Sequence, residues 1–107
     1  MGFEFQLVAV AGSSSASWKD AGNCFALRVT SYVRASAGSA RGSALNMGYE
    51  LVALPVSTWQ EDFIISHEKD VCYVCFHRGS TEQIQGILAL LTSCCLAAGI
   101  VGIFEEL

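Results

Sequence analysis

An α+β fold is predicted for this chain, with an antiparallel sheet and two helices on one of its faces. Three observations predict it. Four segments have the alternation or β-branched content of strands, two place apolar residues at helical spacing, and they follow one another as β-α-β-β-α-β. At 107 residues the chain is read as one domain, 1–107, with a modest core.

Phe3–Val10 is the first strand, with Phe3, Phe5, Leu7 and Ala9 on one side and Glu4, Gln6, Val8 and Val10 on the other. The small-residue run from Ala11 to Ser17 is a loop. Ser17 is a candidate N-cap for a first helix, in which Trp18, Ala21, Gly22, Phe25, Val29, Tyr32, Val33 and Ser36 share one face. Gly38–Gly48 is Gly/Ser-rich and reads as a loop. Tyr49–Val56 is the second strand, and Pro55 near its end suits an edge or terminal position. Ser57–Asp70 is a polar connector in which Phe63-Ile64-Ile65 has strand character, and Val71–His77 is the third strand. Ser80-Thr-Glu-Gln83 spells a capping box that opens a second helix. Its stripe is Ile84, Ile87, Leu88, Leu91, Cys95 and Ala98, with Gly99 placed as the left-handed residue that ends it. Ile100–Glu105 is the closing strand.

This order is the split βαβ arrangement of the ferredoxin-like two-layer sandwich. The alternative is a small doubly wound, flavodoxin-like α/β sheet, in which Ser57–Asp70 hides a crossover helix. A parallel connection needs about a dozen residues, and this connector reaches that length.

The uncharged run from Gln83 to Phe104 is also long enough to cross a bilayer. Its flanks are acidic, Glu82 on one side and Glu105-Glu106 on the other, and no basic residue follows Arg78. A spanning segment wants Lys or Arg at one flank. The capping box and Gly99 mark the two ends of a buried helix instead, so a soluble, cytoplasmic domain is expected.

Apolar residues make up 52% and charged residues 15% of the chain, too few charges to cover its own surface, which suggests a surface hidden by a partner or by a second copy. The net charge of −4 excludes the basic density of a nucleic-acid binder and suits a basic protein partner. Five cysteines, an odd count, and no positively charged leader-like start point to a reducing compartment. Cys72-Tyr-Val-Cys75 has the spelling of a metal or redox pair. On a strand, residues three apart face opposite sides, and no second ligand pair exists, so no metal or cofactor is expected.

Leu7-Val-Ala-Val-Ala-Gly-Ser-Ser-Ser-Ala-Ser17 runs from a strand through a Gly/Ser loop into a helix start. It resembles the first strand and phosphate loop of flavin-reductase or flavodoxin-like domains. That resemblance covers the first third of the chain and implies a phosphate or flavin site at Gly12, Ser13, Ser14 and Ser15, although the loop holds no Lys or Arg. His67 and His77 are the two histidines, and no spacing selects a catalytic triad around either.

Two features suit binding. Trp59 beside Glu61 and Asp62 could anchor a basic partner surface. The outward positions of the second helix, Gly86, Ala89, Leu90, Ser93, Leu96 and Ala97, carry no charge where a solvated helix would. The expected function is therefore that of a small acidic, non-catalytic binding protein. The leading reading is an inhibitor or immunity-type protein that neutralises a toxin or effector by occlusion. The partner-facing residues would be Trp59, Glu61, Asp62, Gly86, Ala89, Ser93 and Ala97. The alternatives are a homodimeric ligand-binding or regulatory module, and the phosphate- or flavin-binding domain.

Overall fold

A computed structural model of the protein describes residues 3–11, 13–33, 44–52 and 61–107. The elements are β1 (Phe3–Val8), α1 (Ser15–Arg28) with a 3-10 turn over Val29–Ser31, β2 (Met47–Tyr49), β3 (Phe63–Glu68), β4 (Val71–Phe76), α2 (Thr81–Ala97) and β5 (Phe104–Glu106). The five strands form one sheet in the order β2-β3-β4-β1-β5, and every neighbouring pair is antiparallel.

The mixed α+β content matches expectation. The doubly wound alternative does not hold, because the described part of the connector contains β3 rather than a crossover helix, and β3 pairs antiparallel with β4. The two are joined by the two-residue turn Lys69-Asp70, with Lys69 at φ 53°. Phe63-Ile64-Ile65 is thus the start of a full strand, and the sheet gains a strand beyond the four expected. Among the described residues, the predicted second strand is represented by Met47–Tyr49 and an isolated bridge between Leu51 and Val33, and the rest of its predicted span, 53–56, lies outside them. Pro55 and Trp59 lie outside the described residues, as does Gly12.

Strand alternation builds the core. Phe5 and Leu7 of β1, Phe63 and Ile65 of β3, and Cys72, Val74 and Phe76 of β4 all point to one side and are buried. They join Trp18, Ala21 and Phe25 of α1 and Ile84, Ile87, Leu88, Leu91, Cys94 and Cys95 of α2 in a single apolar cluster. Both helices therefore pack on the same face, and α1 lies against α2. Tyr49 stacks on Phe63 at 5.0 Å between ring centroids, and Phe25 meets Tyr49 edge-on at 5.6 Å, so aromatic contacts join the sheet's β2 side to α1.

Helix α1 begins three residues earlier than read from sequence. Ser14 is the cap, its Oγ accepting from Ser17 N–H at 3.1 Å. The α-helix stops at Arg28, where Val29 and Thr30 bring two β-branched side chains in succession and Thr30 Oγ1 donates back to the Leu27 carbonyl at 3.3 Å. Tyr32, placed on the core face from sequence, is consequently exposed. Helix α2 is as expected. Ser80 Oγ accepts from Gln83 N–H at 3.1 Å while Gln83 Oε1 accepts from Ser80 N–H at 2.7 Å, and Gly99 takes φ +85° just past the end. No helix among the described residues is long and apolar enough to cross a membrane. The chain then closes tightly: a Cβ at Gly102 would stand 2.8 Å from both Leu7 Cδ2 and the Val8 carbonyl oxygen, so only glycine lets β5 lie down beside β1.

Candidate functional site

The sheet face opposite the helices is uncovered by any described element. Strand register arranges its outward residues in rows. Glu105, Gln6, Tyr73 and Ser66 form one row, Glu4, Cys75, Ile64 and Gly48 the next, and Val8, Val71 and Glu68 a third. Neighbours in such rows stand roughly 5 Å apart. Apolar side chains sit in the middle: Val8 and Tyr73 are exposed at 46% and 41%, with Ile64, Val71 and Cys75 half-buried beside them. Carboxylates stand at the margin, Glu4 and Glu105 toward the β5 edge and Glu68 at the hairpin end. Glu61 lies over the β2 edge, where a Cβ on Gly48 would meet its Cβ and Cγ at 2.9 Å. No outward strand position among the described residues is Lys or Arg; the nearest cation in sequence is Lys69 in the turn. Beside β1, Val8, Val10, Val101, Ile103, Gln6 and Glu105 line a shallow groove of about 330 Å³. An apolar centre inside an acidic margin can take an apolar side chain flanked by cationic ones.

Among the described residues, those expected to bind are not brought to one surface. Asp62 is buried at 1% and its groups are used internally. Its Oδ2 accepts from Leu51 N–H at 2.7 Å, its Oδ1 accepts from Arg78 Nε at 2.5 Å, its own N–H donates to the Tyr49 carbonyl at 2.7 Å, and its carbonyl accepts from His77 N–H at 2.7 Å. The carboxylate thus ties the ends of β2, β3 and β4 instead of facing a partner. Glu61, one residue earlier, is half-exposed on the open sheet face. Trp59 lies outside the described residues. On α2, Ala89, Ser93, Leu96 and Ala97 are exposed and Gly86 is half-buried, whereas Leu90, expected to face outward, is buried, so the core stripe is wider than the sequence suggested. Ser93 Oγ accepts from Arg28 Nη1 of α1 at 3.2 Å.

The Ser loop is engaged internally too. Trp18 Nε1 donates to Ser13 Oγ at 2.7 Å, and Ser13 Oγ donates to Asp70 Oδ1 at 2.6 Å. Ser14 is the helix cap, and Ser15 opens the helix. A carboxylate beside the loop opposes a phosphate, so the loop serves as a latch between α1 and the β3–β4 turn. His67 belongs to the same latch, its ring centroid 4.3 Å from that of Trp18 with the planes tilted by 33°, and its Nε2 on the Lys69 carbonyl at 2.9 Å.

Cys72 and Cys75 diverge as strand geometry requires, Cys72 into the core and Cys75 onto the open face. Burial pushes the Cys72 thiol up to about 12 and the Cys95 thiol up to about 11. Burial first, and after it the influence of Cys24 of α1, raises the Cys94 thiol of α2 above its ordinary range.

No protein-family model matches this chain, and neither a curated protein nor a solved structure matches it.

Proposed function

We propose that the protein is a non-catalytic binding protein that works by occlusion, in the manner of an inhibitor or immunity protein, and that its open sheet face meets a basic protein partner in the cytoplasm. The observation that carries this reading is the apolar centre around Val8, Tyr73 and Ile64 enclosed by Glu4, Glu61, Glu68 and Glu105. Apolar burial supplies affinity, while a margin of one sign selects the oppositely charged partner and speeds its approach. The same margin disfavours two copies meeting face to face, since carboxylates would then oppose carboxylates. The test uses basic products of genes adjacent to this one. Each is expressed alone and together with this chain. Relief of toxicity and a one-to-one complex in gel filtration are expected, both lost with Tyr73→Glu and retained with Ser93→Arg on the opposite side of the domain. No relief by any neighbour, or relief untouched by Tyr73→Glu, counts against the reading.

A second reading, self-association as a dimeric regulatory module, has its own observation. After Glu82 the exposed positions of α2 are Gln85, Ala89, Ser93, Leu96 and Ala97, none charged, and Leu27 of α1 is 78% exposed. Light scattering separates the two: a wild-type dimer split by Ser93→Arg favours the second. As to architecture, we infer a ferredoxin-like sandwich with one added edge strand. What supports it is that, with β2 set aside, the strands run β3-β4-β1-β5 and the two helices follow β1 and β4.

A further inference from the structure

We propose that the outer edge of β5 receives an extended, cationic segment of the partner as an added strand, with two adjacent apolar side chains entering grooves on opposite faces of the sheet. The inference rests on the reading of a basic protein partner for the source of that segment, while the edge is a contact separate from the Tyr73 and Ile64 centre. Strand β5 ends the sheet, and no described strand pairs with its outer side. Its register sets Phe5 with Glu106, Gln6 with Glu105 and Leu7 with Phe104. Leu107 N–H donates to the Glu4 carbonyl at 2.8 Å, so Leu107 and Glu105 turn their backbone groups toward β1. Strand alternation then aims the N–H and C=O of Phe104 and Glu106 outward, the half-ladder that an added strand completes. Phe104 packs against the core and anchors this edge. A groove flanks it on each face. On the open face Val8, Val10, Val101 and Ile103 line about 330 Å³, with Glu105 among the lining residues. On the helix side Phe5, Leu88, Ala89 and Phe104 line about 430 Å³, with Glu106 among them. Ile103 borders both grooves and is 69% exposed.

The chemistry of the occupant follows from strand geometry. Successive side chains of a strand point to opposite faces, so two neighbouring apolar residues reach one groove each. Glu105 and Glu106 obey the same rule and place one carboxylate on each face. Among the described residues, no Lys or Arg lines either groove. Two neighbouring cations beside the apolar pair therefore meet one carboxylate each. Main-chain bonds supply affinity for any extended segment, and the grooves with their carboxylates supply the selection. A second copy of this chain is a poor occupant. Two β5 strands paired antiparallel about Glu105 would set that carboxylate opposite its own copy, and a shift by one residue would set Glu105 opposite Glu106. Like charges directly opposite one another are destabilising. The two carboxylates that keep this edge from pairing with its like are thus the ones that admit a cationic strand.

The probe is a short capped peptide with two adjacent valines between pairs of lysines, titrated into the full chain at low salt and followed by fluorescence anisotropy and amide hydrogen exchange. Binding is expected to slow exchange at Phe104 and Glu106 by at least about tenfold and to leave Glu105, whose amide already faces β1, unchanged. The same peptide with methylated backbone nitrogens keeps its charge and side chains and should bind at least about tenfold more weakly. Ile103→Asp, on an exposed side chain, should weaken binding by at least about tenfold. Glu105→Lys combined with Glu106→Lys should pass the preference to a peptide with glutamates in place of the lysines. Tyr73→Glu should leave the peptide bound. Binding that survives methylation, or that falls with Tyr73→Glu and not with Ile103→Asp, would overturn the edge proposal. So would no binding, which leaves the two carboxylates as guards against edge-to-edge pairing, or a wild-type dimer that Ile103→Asp splits. If Ile103→Asp fails to fold, exchange at Phe104 and Glu106 and the methylated peptide still decide it. The neighbouring-gene test stands apart: relief of toxicity without peptide binding keeps the open-face reading and removes this one, and peptide binding at the edge without relief does the reverse.

Discussion

Replacing Asp62 by Ala removes one side chain from the point where three strand ends meet. The Asp62 carboxylate is 2% exposed and accepts from Leu51 N–H and Arg78 Nε, while Arg78 itself is 30% exposed. In Asp62→Ala the Leu51 amide, on a residue only 3% exposed, loses its acceptor in the interior. An unsatisfied buried donor costs about 1–3 kcal/mol. Breaking a fully buried ion pair by removing one member costs about 3–5 kcal/mol. Arg78 reaches water, so its share belongs near the lower part of that range, and the whole substitution should cost about 3 kcal/mol. Asp62→Asn keeps an oxygen for Leu51 but removes the negative charge that faces Arg78, for about 1–2 kcal/mol. Urea unfolding followed by circular dichroism reads both, and against a domain stability of about 5–15 kcal/mol the alanine variant should melt visibly earlier. An Asp62→Ala cost below about 1 kcal/mol, or an Asn variant as damaged as the Ala one, would refute the view that this carboxylate joins β2, β3 and β4.

Alkaline pH should destabilise the protein with reductant present. Cys72 and Cys95 hold raised values when folded, about 12 and 11 against 9.0 for a free thiol, so the unfolded chain releases these protons first. Stability contributed by the neutral thiols is complete below about pH 9 and falls as pH rises toward 11, by up to about 5 kcal/mol, and Cys72→Val should make the fall shallower; a flat urea midpoint over this window would contradict the burial argument. Gly102→Ala should cost about 1–3 kcal/mol and lower amide protection in β5, because the added methyl meets backbone as well as the Leu7 side chain; unchanged hydrogen exchange there would show that β5 shifts without cost.

Local signals carried over best where one residue's environment is set by its near neighbours. The capping box at Ser80 and Gln83, the left-handed Gly99 and the divergence of Cys72 from Cys75 all depend on spacing of a few residues, and all were legible. The end of α1 was less so, since the periodic pattern continued through Tyr32 while β-branched Val29 and Thr30 stopped the helix. Asp62 misled for a related reason. A carboxylate in a polar connector reads as solvated, and only the partners supplied by Leu51 and Arg78, neither adjacent in sequence, explain its burial. The open sheet face was half legible: Glu4, Gln6 and Val8 declared themselves by alternation, whereas Tyr73 and Ile64 needed the strand register before they could be set beside them. The contact of Arg28 with Ser93 depends on how two helices cross, which no spacing within either helix encodes.

Strand β1 sits inside the sheet between β4 and β5, both of which come from the last third of the sequence. During synthesis, therefore, β1 has neither of its hydrogen-bonding neighbours until Val71–Phe76 has been made, and lacks the second until Phe104–Glu106 follows. Its Phe-Glu-Phe-Gln-Leu-Val segment must wait with both backbone edges open, the condition under which strands recruit chaperones or pair with the wrong chain. Completing the sheet requires closing a loop nearly as long as the domain, a non-local pairing of the kind that slows folding.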